Sequence, residues 1–273
     1  MRPEGSSGKA PGRGKDLLRA DASVAPTAGL APSGLPKPAR YNRDMASSVA
    51  PTPVQIRCQG VLFDMDGILI SSLESVERAW RRWAILRGVD PDDACQAAHG
   101  CRAFDTFARL RPDLDPREEI EILEASELTD HADVHALPGA IELLGSLPIH
   151  RWAVVTSASE RVARVRLAAG RIPAPSHMVV AEMVAQGKPH PDPYLAGAAL
   201  LGFPPQECVV FEDSASGVRA GRAAGCTVVA TTFSHPIDSL GPAHYLVTDL
   251  TGVAVSPLPG GQGITLTFAP LPG

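Results

Sequence analysis

The chain has 273 residues, of which 44% are hydrophobic and 20% charged, a composition typical of one large globular domain or of a domain with an insert. Its formal net charge of -5 argues against a nucleic-acid-binding protein, and the lack of any run of about 18 apolar residues argues against a transmembrane helix. The five cysteines have no CxxC spacing, which argues against a zinc site or a disulfide framework and favours a cytoplasmic protein.

The first 55 residues are rich in Pro, Gly, Ala and Ser and show no sustained period of 2 or 3.6 residues. Such a segment buries too little apolar surface to order itself, so we predict that residues 1–55 are disordered. The segment also lacks the continuous apolar stretch of a secretory signal. In an alternative interpretation, translation begins at Met45 and only a short leader precedes the folded part.

From residue 56 onward, short β-branched apolar runs alternate with helical segments. The predicted strands are 59–64, 151–156, 177–181, 207–212 and 226–232. The predicted helices between the later strands are 159–170, 190–201 and 214–224. Near-continuous apolar strands are expected where helices cover both faces of a parallel sheet. The sequence therefore predicts an α/β fold with a Rossmann-like, doubly wound parallel sheet.

Residues 72–136 separate the first two predicted strands and are too many for a simple crossover. Their pattern is helical throughout, with no strand-like run. We predict that they form a small all-helical cap, inserted after the first strand and lying over the carboxyl edge of the sheet. The α/β core then comprises residues 56–71 and 137–250, and residues 251–273 form a C-terminal tail.

Polar residues follow the predicted strands or precede a helix at four places in the chain. These are Asp64, Asp66 and Gly67; Thr156, Ser157 and Ala158; Gly187 and Lys188; and Glu212, Asp213 and Ser214. Any one of these groups alone is most simply a helix cap or a loop. Four groups in order are difficult to explain as caps, because ligands of doubly wound sheets bind beyond the carboxyl ends of the strands.

The residue types in these four groups are chemically complementary. Several carboxylates at one edge repel one another unless a cation joins them, and oxygen ligands without His or Cys favour Mg²⁺. A lysine and a hydroxyl at the same place suit a dianionic phosphoryl group. One carboxylate can attack phosphorus to form an acyl phosphate, and a second can protonate the leaving oxygen and later activate water.

The ordered set DMDG, TSAS, GKP and FEDS resembles the haloacid dehalogenase superfamily of aspartate-nucleophile phosphohydrolases, over about residues 57–250. The resemblance implies that Asp64 is the nucleophile and Asp66 the general acid/base, whose backbone carbonyl also reaches Mg²⁺. It implies that Asp213 is the main remaining metal ligand, with Glu212 supporting through the metal or its water. The dehalogenase branch uses a single aspartate and no metal, so the additional carboxylates argue against that chemistry.

The same resemblance assigns the phosphate-binding groups. Ser157 and the amide of Ala158 would hold the phosphoryl oxygens, and Thr156 is the alternative if the register differs by one residue. Lys188 would pair with both the nucleophile and the phosphate. A helical insert after the first motif marks the first cap subclass of the superfamily.

Near relatives in this branch include β-phosphoglucomutase-like enzymes and phosphatases of small sugar or polyol phosphates. The mutases carry a cap-hinge His nine residues after the DxDG glycine, where this chain has Val76, so we favour transfer to water. Residues 77–84 and 98–107 are similar to phosphatases acting on 2-deoxyglucose 6-phosphate, glycerol phosphate and hexitol phosphates. By this resemblance His99 and Arg102 face the substrate, although a helix-end histidine and a solvated arginine remain open alternatives.

The sequence thus predicts a Mg²⁺-dependent phosphomonoesterase that hydrolyses a small sugar phosphate or polyol phosphate through an aspartyl-phosphate on Asp64. A β-phosphoglucomutase-like sugar phosphomutase is the alternative. A non-catalytic interaction protein is a third possibility, which the intact acidic set disfavours. We expect a small phosphorylated metabolite as the partner, no nucleic acid and no membrane, and a monomer or a weak homodimer.

Overall fold

The computed structural model describes residues 52–272. In chain order its strands are β1 (Val54–Cys58), β2 (Gly60–Phe63), β3 (Ile70–Ser71), β4 (His135–Ala136), β5 (Trp152–Val155), β6 (Met178–Val179), β7 (Cys208–Glu212), β8 (Thr227–Thr231), β9 (Tyr245–Val247), β10 (Ala254–Pro257) and β11 (Ile264–Phe268). Its helices are α1 (Leu73–Arg87), α2 (Pro91–Ala98), α3 (Ala103–Leu110), α4 (Pro116–Glu127), α5 (Ala140–Ser146), α6 (Glu160–Ala169), α7 (Asp192–Leu201) and α8 (Ala215–Ala223). None of these helices is long and apolar enough to cross a membrane.

A parallel sheet of six strands, in the order β6-β5-β2-β7-β8-β9, forms the centre of the fold. On one face, Phe63 of β2 belongs to a hydrophobic cluster with Leu167 of α6. On the other face, Leu62 clusters with Ala198 of α7 and Val218 of α8. Every residue of β2 is buried because both faces are covered. The predicted doubly wound α/β sheet is confirmed, and the predicted strands and helices coincide with the observed ones apart from their end residues.

The helices α1 to α4 lie between β3 and β4, which pair as a short antiparallel ribbon. They have a hydrophobic cluster of their own, in which Trp80 and Trp83 pack against Phe107. The side chains of Asp90 and Asp115 cap α2 and α4 by accepting hydrogen bonds from backbone N–H groups in the first turn. We propose that residues 72–136 are the predicted cap, since the chain leaves and re-enters the core through adjacent strands. The expectation that this segment is helical throughout is wrong at its end, where His135 and Ala136 form β4.

The prediction of a C-terminal tail at residues 251–273 is wrong for the part that the structure describes. Here β10 and β11 form an antiparallel sheet with β1, and β11 lies in the middle. The segment ITLTF (264–268) alternates buried and half-buried residues, the pattern of a strand with one face on a core. This alternation was not recognised in the sequence because the preceding segment, 259–263, is rich in glycine.

The prediction of disorder for residues 1–55 lies outside the described residues, except at its end. There, Val54 and Gln55 belong to β1 and pair with Phe268 and Thr267 of β11. Their order comes from this pairing with a distant part of the chain, which the local composition does not show. The strand β9 was also not predicted and extends the parallel sheet beyond β8.

The packing of β11 leads to a test by substitution. Leu266 is fully buried in the same cluster as Phe63, so Leu266→Ala leaves a cavity beside the central sheet. We expect it to lower the free energy of unfolding by about 2–5 kcal/mol. The matched control, Gln55→Ala on the neighbouring strand, replaces an exposed side chain and should change that free energy by less than about 0.5 kcal/mol. Urea unfolding followed by circular dichroism measures both, and equally small effects would contradict the placement of β11 in the core.

Candidate active site

The predicted catalytic residues converge at the carboxyl edge of the sheet. Asp64 directly follows β2, and Glu212 and Asp213 lie at the end of β7, the neighbouring strand. Lys188 comes from the loop before α7 and reaches the same place. All four are buried, and Asp64 is the most exposed of them at 5%. Because parallel neighbours end at one edge, residues far apart in the chain meet here.

Lys188 is fixed by three hydrogen bonds, one for each proton of its ammonium group. Its Nζ donates to Asp64 Oδ1 at 2.7 Å, to Glu212 Oε1 at 2.7 Å and to the carbonyl of Val155 at 3.2 Å. Burial by itself would lower the pKa of Lys188, but the two carboxylates raise it above its usual value. The lysine therefore carries its charge and holds one oxygen of Asp64 in place.

Glu212 is surrounded by donors. Its Oε1 also accepts from the hydroxyl of Tyr194 at 2.8 Å, and its Oε2 accepts from the N–H groups of Asp213 and Ser214, both at 2.9 Å. Burial disfavours the ionised carboxyl, but Lys188 lowers the pKa of Glu212 below its usual value. A Cβ atom at Gly217 would lie 1.6 Å from Glu212 Oε1, so a glycine is needed there. These contacts make Glu212 an ionised anchor for Lys188.

The acidic residues at this edge fit a metal ion. One carboxylate oxygen from each of Asp64, Glu212 and Asp213 lies within 4.8 Å of the others. Among the described residues, Lys188 is the ammonium group that pairs with two of these carboxylates, Asp64 and Glu212, whereas Asp213 has no ion pair. Burial raises the pKa of Asp64 to about 7 against the opposing effect of Lys188, and burial with the nearby Glu212 raises that of Asp213. A buried site with oxygen ligands only and more carboxylates than ammonium groups suits a hard divalent cation.

The glycine of the DMDG motif is required by the geometry. Gly67 has a φ of +83°, and its N–H donates to the carbonyl of Ile70 at 2.8 Å in the turn that follows the aspartates. A Cβ atom built on Gly67 would lie 1.8 Å from Asp213 Oδ2. A side chain at this position would therefore displace the carboxylate of Asp213 as well as strain the backbone.

Asp66 contacts two residues that the sequence analysis did not identify. The hydroxyl of Ser72 donates to Asp66 Oδ1, and Arg166 Nη1 lies 3.3 Å from both carboxylate oxygens. Arg166 is only 4% exposed and also donates from Nη2 to Glu127 at 2.9 Å. The sequence contained one indication that Arg166 is unusual. Arg166 lies four residues after Val162, on the same buried face of α6, where a charged residue is unexpected.

The segment TSAS (156–159) lies at the edge of the site, but the N–H of Ala158, which was predicted to bind phosphate, already donates a hydrogen bond within the segment. Thr156 is buried, and its Oγ1 accepts from the N–H of Ala158 at 3.0 Å. Ser157 lies on the cavity wall and donates to the carbonyl of Gly100 in the cap at 3.2 Å. The predicted phosphate-binding role of Ser157 and Ala158 therefore requires these hydrogen bonds to be exchanged for bonds to the phosphate, and it stays a prediction.

The contacts of Arg102 differ from those expected of a residue that binds the substrate. All five of its N–H groups are used within the protein. It forms a bidentate pair with Asp105 at 2.8 and 2.9 Å, and it donates to the carbonyls of Ala181, Val184 and Ala185 at 3.2, 2.7 and 3.1 Å. The residue thus ties the start of α3 to the loop after β6, and it is neither a solvated cap arginine nor free to bind a substrate here.

His99 keeps an available nitrogen beside the cavity. Its Nε2 is buried and has no hydrogen-bond partner among the described residues. Its ring stacks edge-on against His235, with the ring centroids 4.5 Å apart. Burial and the neighbouring His235 lower the pKa of His99 to about 4, so the ring is neutral at ordinary pH. A substrate contact by His99 stays a prediction.

A cavity of about 660 Å³ lies between the helices α1 to α4 and the edge of the sheet. Its floor contains Asp64, Asp66 and Asp213. Side chains of the helical region form the opposite wall, among them Val76, Trp80, Glu124 and Glu127. The candidate nucleophile thus faces a partly open cavity of a size suited to a small ligand.

Comparison with known proteins shows the family. Residues 58–225 match the model of the haloacid dehalogenase-like hydrolases, and the chain therefore belongs to that family. The resemblance seen in the four motifs is confirmed. The chain is also 42% identical to Hexitol phosphatase A of Escherichia coli (strain K12) over 214 residues, which cover 77% of this chain and 99% of that protein.

A second relative is also named for the hydrolysis of a phosphate ester. The chain is 37% identical to Glycerol-1-phosphate phosphohydrolase 1 of Saccharomyces cerevisiae, with 66% of this chain and 78% of that protein covered. Among solved structures, a hydrolase from Pseudomonas syringae is 25% identical and superposes with a TM-score of 0.65, covering 71% of this chain and 94% of that one. A β-phosphoglucomutase from Clostridium difficile, 20% identical with a TM-score of 0.60 and coverages of 71% and 92%, shares the fold.

The position of Gly67 yields a second test. We expect Gly67→Ala to lower kcat/KM for phosphate release at least about a hundredfold, because the new Cβ displaces Asp213. Gly88→Ala is the matched control: Gly88 has a φ of +67° with nothing within 4 Å of a Cβ. That variant should lose only about 1–3 kcal/mol of stability through backbone strain and keep its activity. Steady-state kinetics and thermal unfolding compare the two, and equal activities would contradict the role given to Gly67.

Proposed function

We propose that this protein is a Mg²⁺-dependent phosphomonoesterase that hydrolyses a small sugar phosphate or polyol phosphate through an aspartyl-phosphate on Asp64. The observation that carries the proposal is the hydrogen bond of 2.7 Å between Lys188 Nζ and Asp64 Oδ1 on the floor of the cavity. It orients a buried carboxylate whose second oxygen is available for attack. The names of the relatives, which describe phosphatases of hexitols and glycerol, support the same reaction.

In the first half-reaction, the free oxygen of Asp64 attacks phosphorus, and the bond between phosphorus and the ester oxygen breaks. Lys188 keeps the nucleophile oriented and places positive charge beside the entering phosphoryl oxygens. Asp64 and Asp213 would hold a divalent cation, whose charge would offset the repulsion between these carboxylates and the phosphate. The proposed donation by the backbone carbonyl of Asp66 to the same ion follows from the family resemblance.

Asp66 is proposed to move the proton in both half-reactions. Its carboxylic acid protonates the leaving alkoxide, and the carboxylate then takes a proton from the water that attacks the aspartyl-phosphate. That attack releases inorganic phosphate and restores Asp64. Ser72 and Arg166 hold Asp66 at the cavity, whereas Lys188 holds Asp64. This separation leaves the two aspartates free for different tasks.

The substrate class follows from the relatives and from the cavity. The relatives include a hexitol phosphatase and a 2-deoxyglucose-6-phosphate phosphatase, the latter 32% identical to this chain. A cavity of about 660 Å³ has room for a phosphorylated chain of hexose size. Val76 lines this cavity at the position of the mutases' hinge histidine, which favours water over a second sugar hydroxyl as the acceptor. We further expect a cytoplasmic protein, a monomer or weak homodimer, that binds neither nucleic acid nor membrane.

The nucleophile assignment is tested by Asp64→Asn. Because an amide cannot form the acyl phosphate, we expect phosphate release from sorbitol 6-phosphate with Mg²⁺ to fall at least about 10³-fold. The control is Asp238→Asn, which changes an exposed aspartate in the same way and should leave the rate unchanged. Chelation of the metal by EDTA should stop the reaction of the native protein. Full activity of Asp64→Asn would contradict the mechanism.

Hydrolysis and mutase activity are separated by their products. When the protein is incubated with β-glucose 1-phosphate and Mg²⁺, we expect free phosphate and glucose in equal amounts, since water is the acceptor. Accumulation of glucose 6-phosphate without free phosphate would instead establish a mutase. Phosphate assay and chromatography of the sugar phosphates measure both products in one sample.

A further inference from the structure

Two acidic residues of α4 form part of the cavity wall opposite the nucleophile. Glu124 and Glu127 are one turn apart and so lie on the same face of the helix. They are only 7% and 9% exposed, yet both line the cavity. Buried glutamates are uncommon unless a partner compensates them, so their surroundings indicate what they are for.

The protein satisfies these two carboxylates only in part. Glu127 Oε1 accepts from Arg166 Nη2 at 2.9 Å, and Glu124 Oε2 has a long contact of 3.4 Å with Nη1 of Arg161, a side chain that is 64% exposed. No hydrogen bond from a described residue reaches the other oxygen of either group. Each carboxylate therefore presents an acceptor to whatever enters the cavity.

Arg166 relates this pair to the reaction site. The same guanidinium that bonds Glu127 lies 3.3 Å from Asp66, the proposed acid/base. Glu127 is thus one guanidinium group away from Asp66, which would protonate the ester oxygen. Carbon atoms beyond the phosphoester would extend toward α4, along a wall that includes the apolar side chains of Trp80 and Leu123.

The charges at this end of the cavity oppose a second anionic group. Among the described residues, the charged groups here are the buried carboxylates of Glu124 and Glu127, the partly exposed carboxylate of Asp66 and the buried guanidinium of Arg166. The cavity lining also includes the carboxylates of Glu77 and Glu182 and the guanidinium groups of Arg102 and Arg117. Arg166 is shared between Asp66 and Glu127. The remaining negative charge would repel a carboxylate or a second phosphate on the substrate, whereas hydroxyl groups can donate to it.

We propose that Glu124 and Glu127 form a subsite for the hydroxyl groups at the end of the substrate remote from the phosphate. The inference rests on the proposed function, which places the phosphate at Asp64. Its consequence is that the protein selects monophosphates with an uncharged polyhydroxy chain and rejects bisphosphates and phosphocarboxylates. Hydroxyl donors to a carboxylate form charge-assisted hydrogen bonds, and a substrate without them leaves the acceptors desolvated and unpaired.

The native protein provides the first test. With Mg²⁺, kcat/KM for sorbitol 6-phosphate should exceed the values for fructose 1,6-bisphosphate, 2-phosphoglycolate and p-nitrophenyl phosphate by at least about tenfold each. Equal or faster turnover of the bisphosphate or the phosphoglycolate would overturn the subsite and leave the phosphatase chemistry intact. Lack of Mg²⁺-dependent release from all four compounds would overturn both the subsite and the proposed function.

A pair of variants on one helix provides the second test. Glu124→Gln should lower kcat/KM for sorbitol 6-phosphate about tenfold more than it lowers kcat/KM for p-nitrophenyl phosphate, which has no hydroxyl to donate. The control Glu121→Gln removes a carboxylate that also lies near Arg161, at 3.8 Å, but is 75% exposed, and its ratio of the two constants should stay within about twofold of the native value. An unchanged ratio in Glu124→Gln would overturn the subsite.

A charge reversal covers the case in which the glutamine variant does not fold. Glu124→Lys replaces a repelling group with an attracting one, so turnover of fructose 1,6-bisphosphate relative to p-nitrophenyl phosphate should rise at least about tenfold. Thermal unfolding of each variant confirms that the compared proteins are folded. A relative turnover of the bisphosphate that does not rise in a folded Glu124→Lys protein would contradict the proposed charge selection.

Discussion

Lys188 bridges two buried carboxylates, those of Asp64 and Glu212, and the rest of the site is arranged around this bridge. Two buried carboxylates side by side would be strongly unfavourable if the ammonium group were absent, because no other cation among the described residues is paired with either of them. The hydroxyl of Tyr194 and the backbone at the end of β7 take up the remaining capacity of Glu212. The lysine is thereby immobilised, and the orientation of Asp64 follows from it.

The same bridge constrains the backbone around it. The carboxylate of Glu212 lies so close to α8 that a Cβ atom at Gly217 would clash with it. In the same way, a Cβ atom at Gly67 would clash with the carboxylate of Asp213. Small residues at these two positions allow three carboxylates to approach one another at the sheet edge. Three carboxylates beside one ammonium group leave an excess of negative charge that favours a bound cation, which links the packing of the core to the proposed chemistry.

Two arginines connect the helical region to the core. Arg102 at the start of α3 binds backbone carbonyls of the loop that precedes Lys188, and Arg166 of α6 binds Glu127 of α4. Because Arg166 also contacts Asp66, the position of α4 is coupled to the proposed acid/base through one planar group. Directional polar contacts thus join the helical region to the core beside the cavity, in addition to the apolar wall near Trp80.

The local sequence was sufficient to predict the parallel strands, the helices after them and the positions of Asp64, Lys188 and Asp213, because apolar runs and the polar residues that end them are features of neighbouring residues. It was insufficient for β1, whose partner Phe268 is at the other end of the chain, and for Arg102 and Arg166. Arg102 reaches carbonyls up to 83 residues away, and Arg166 reaches Asp66 across 100 residues. The sequence shows that an arginine is present, and every arginine can donate five hydrogen bonds. Only the tertiary structure decides which acceptors lie within reach, because hydrogen bonds depend on distance and direction in space.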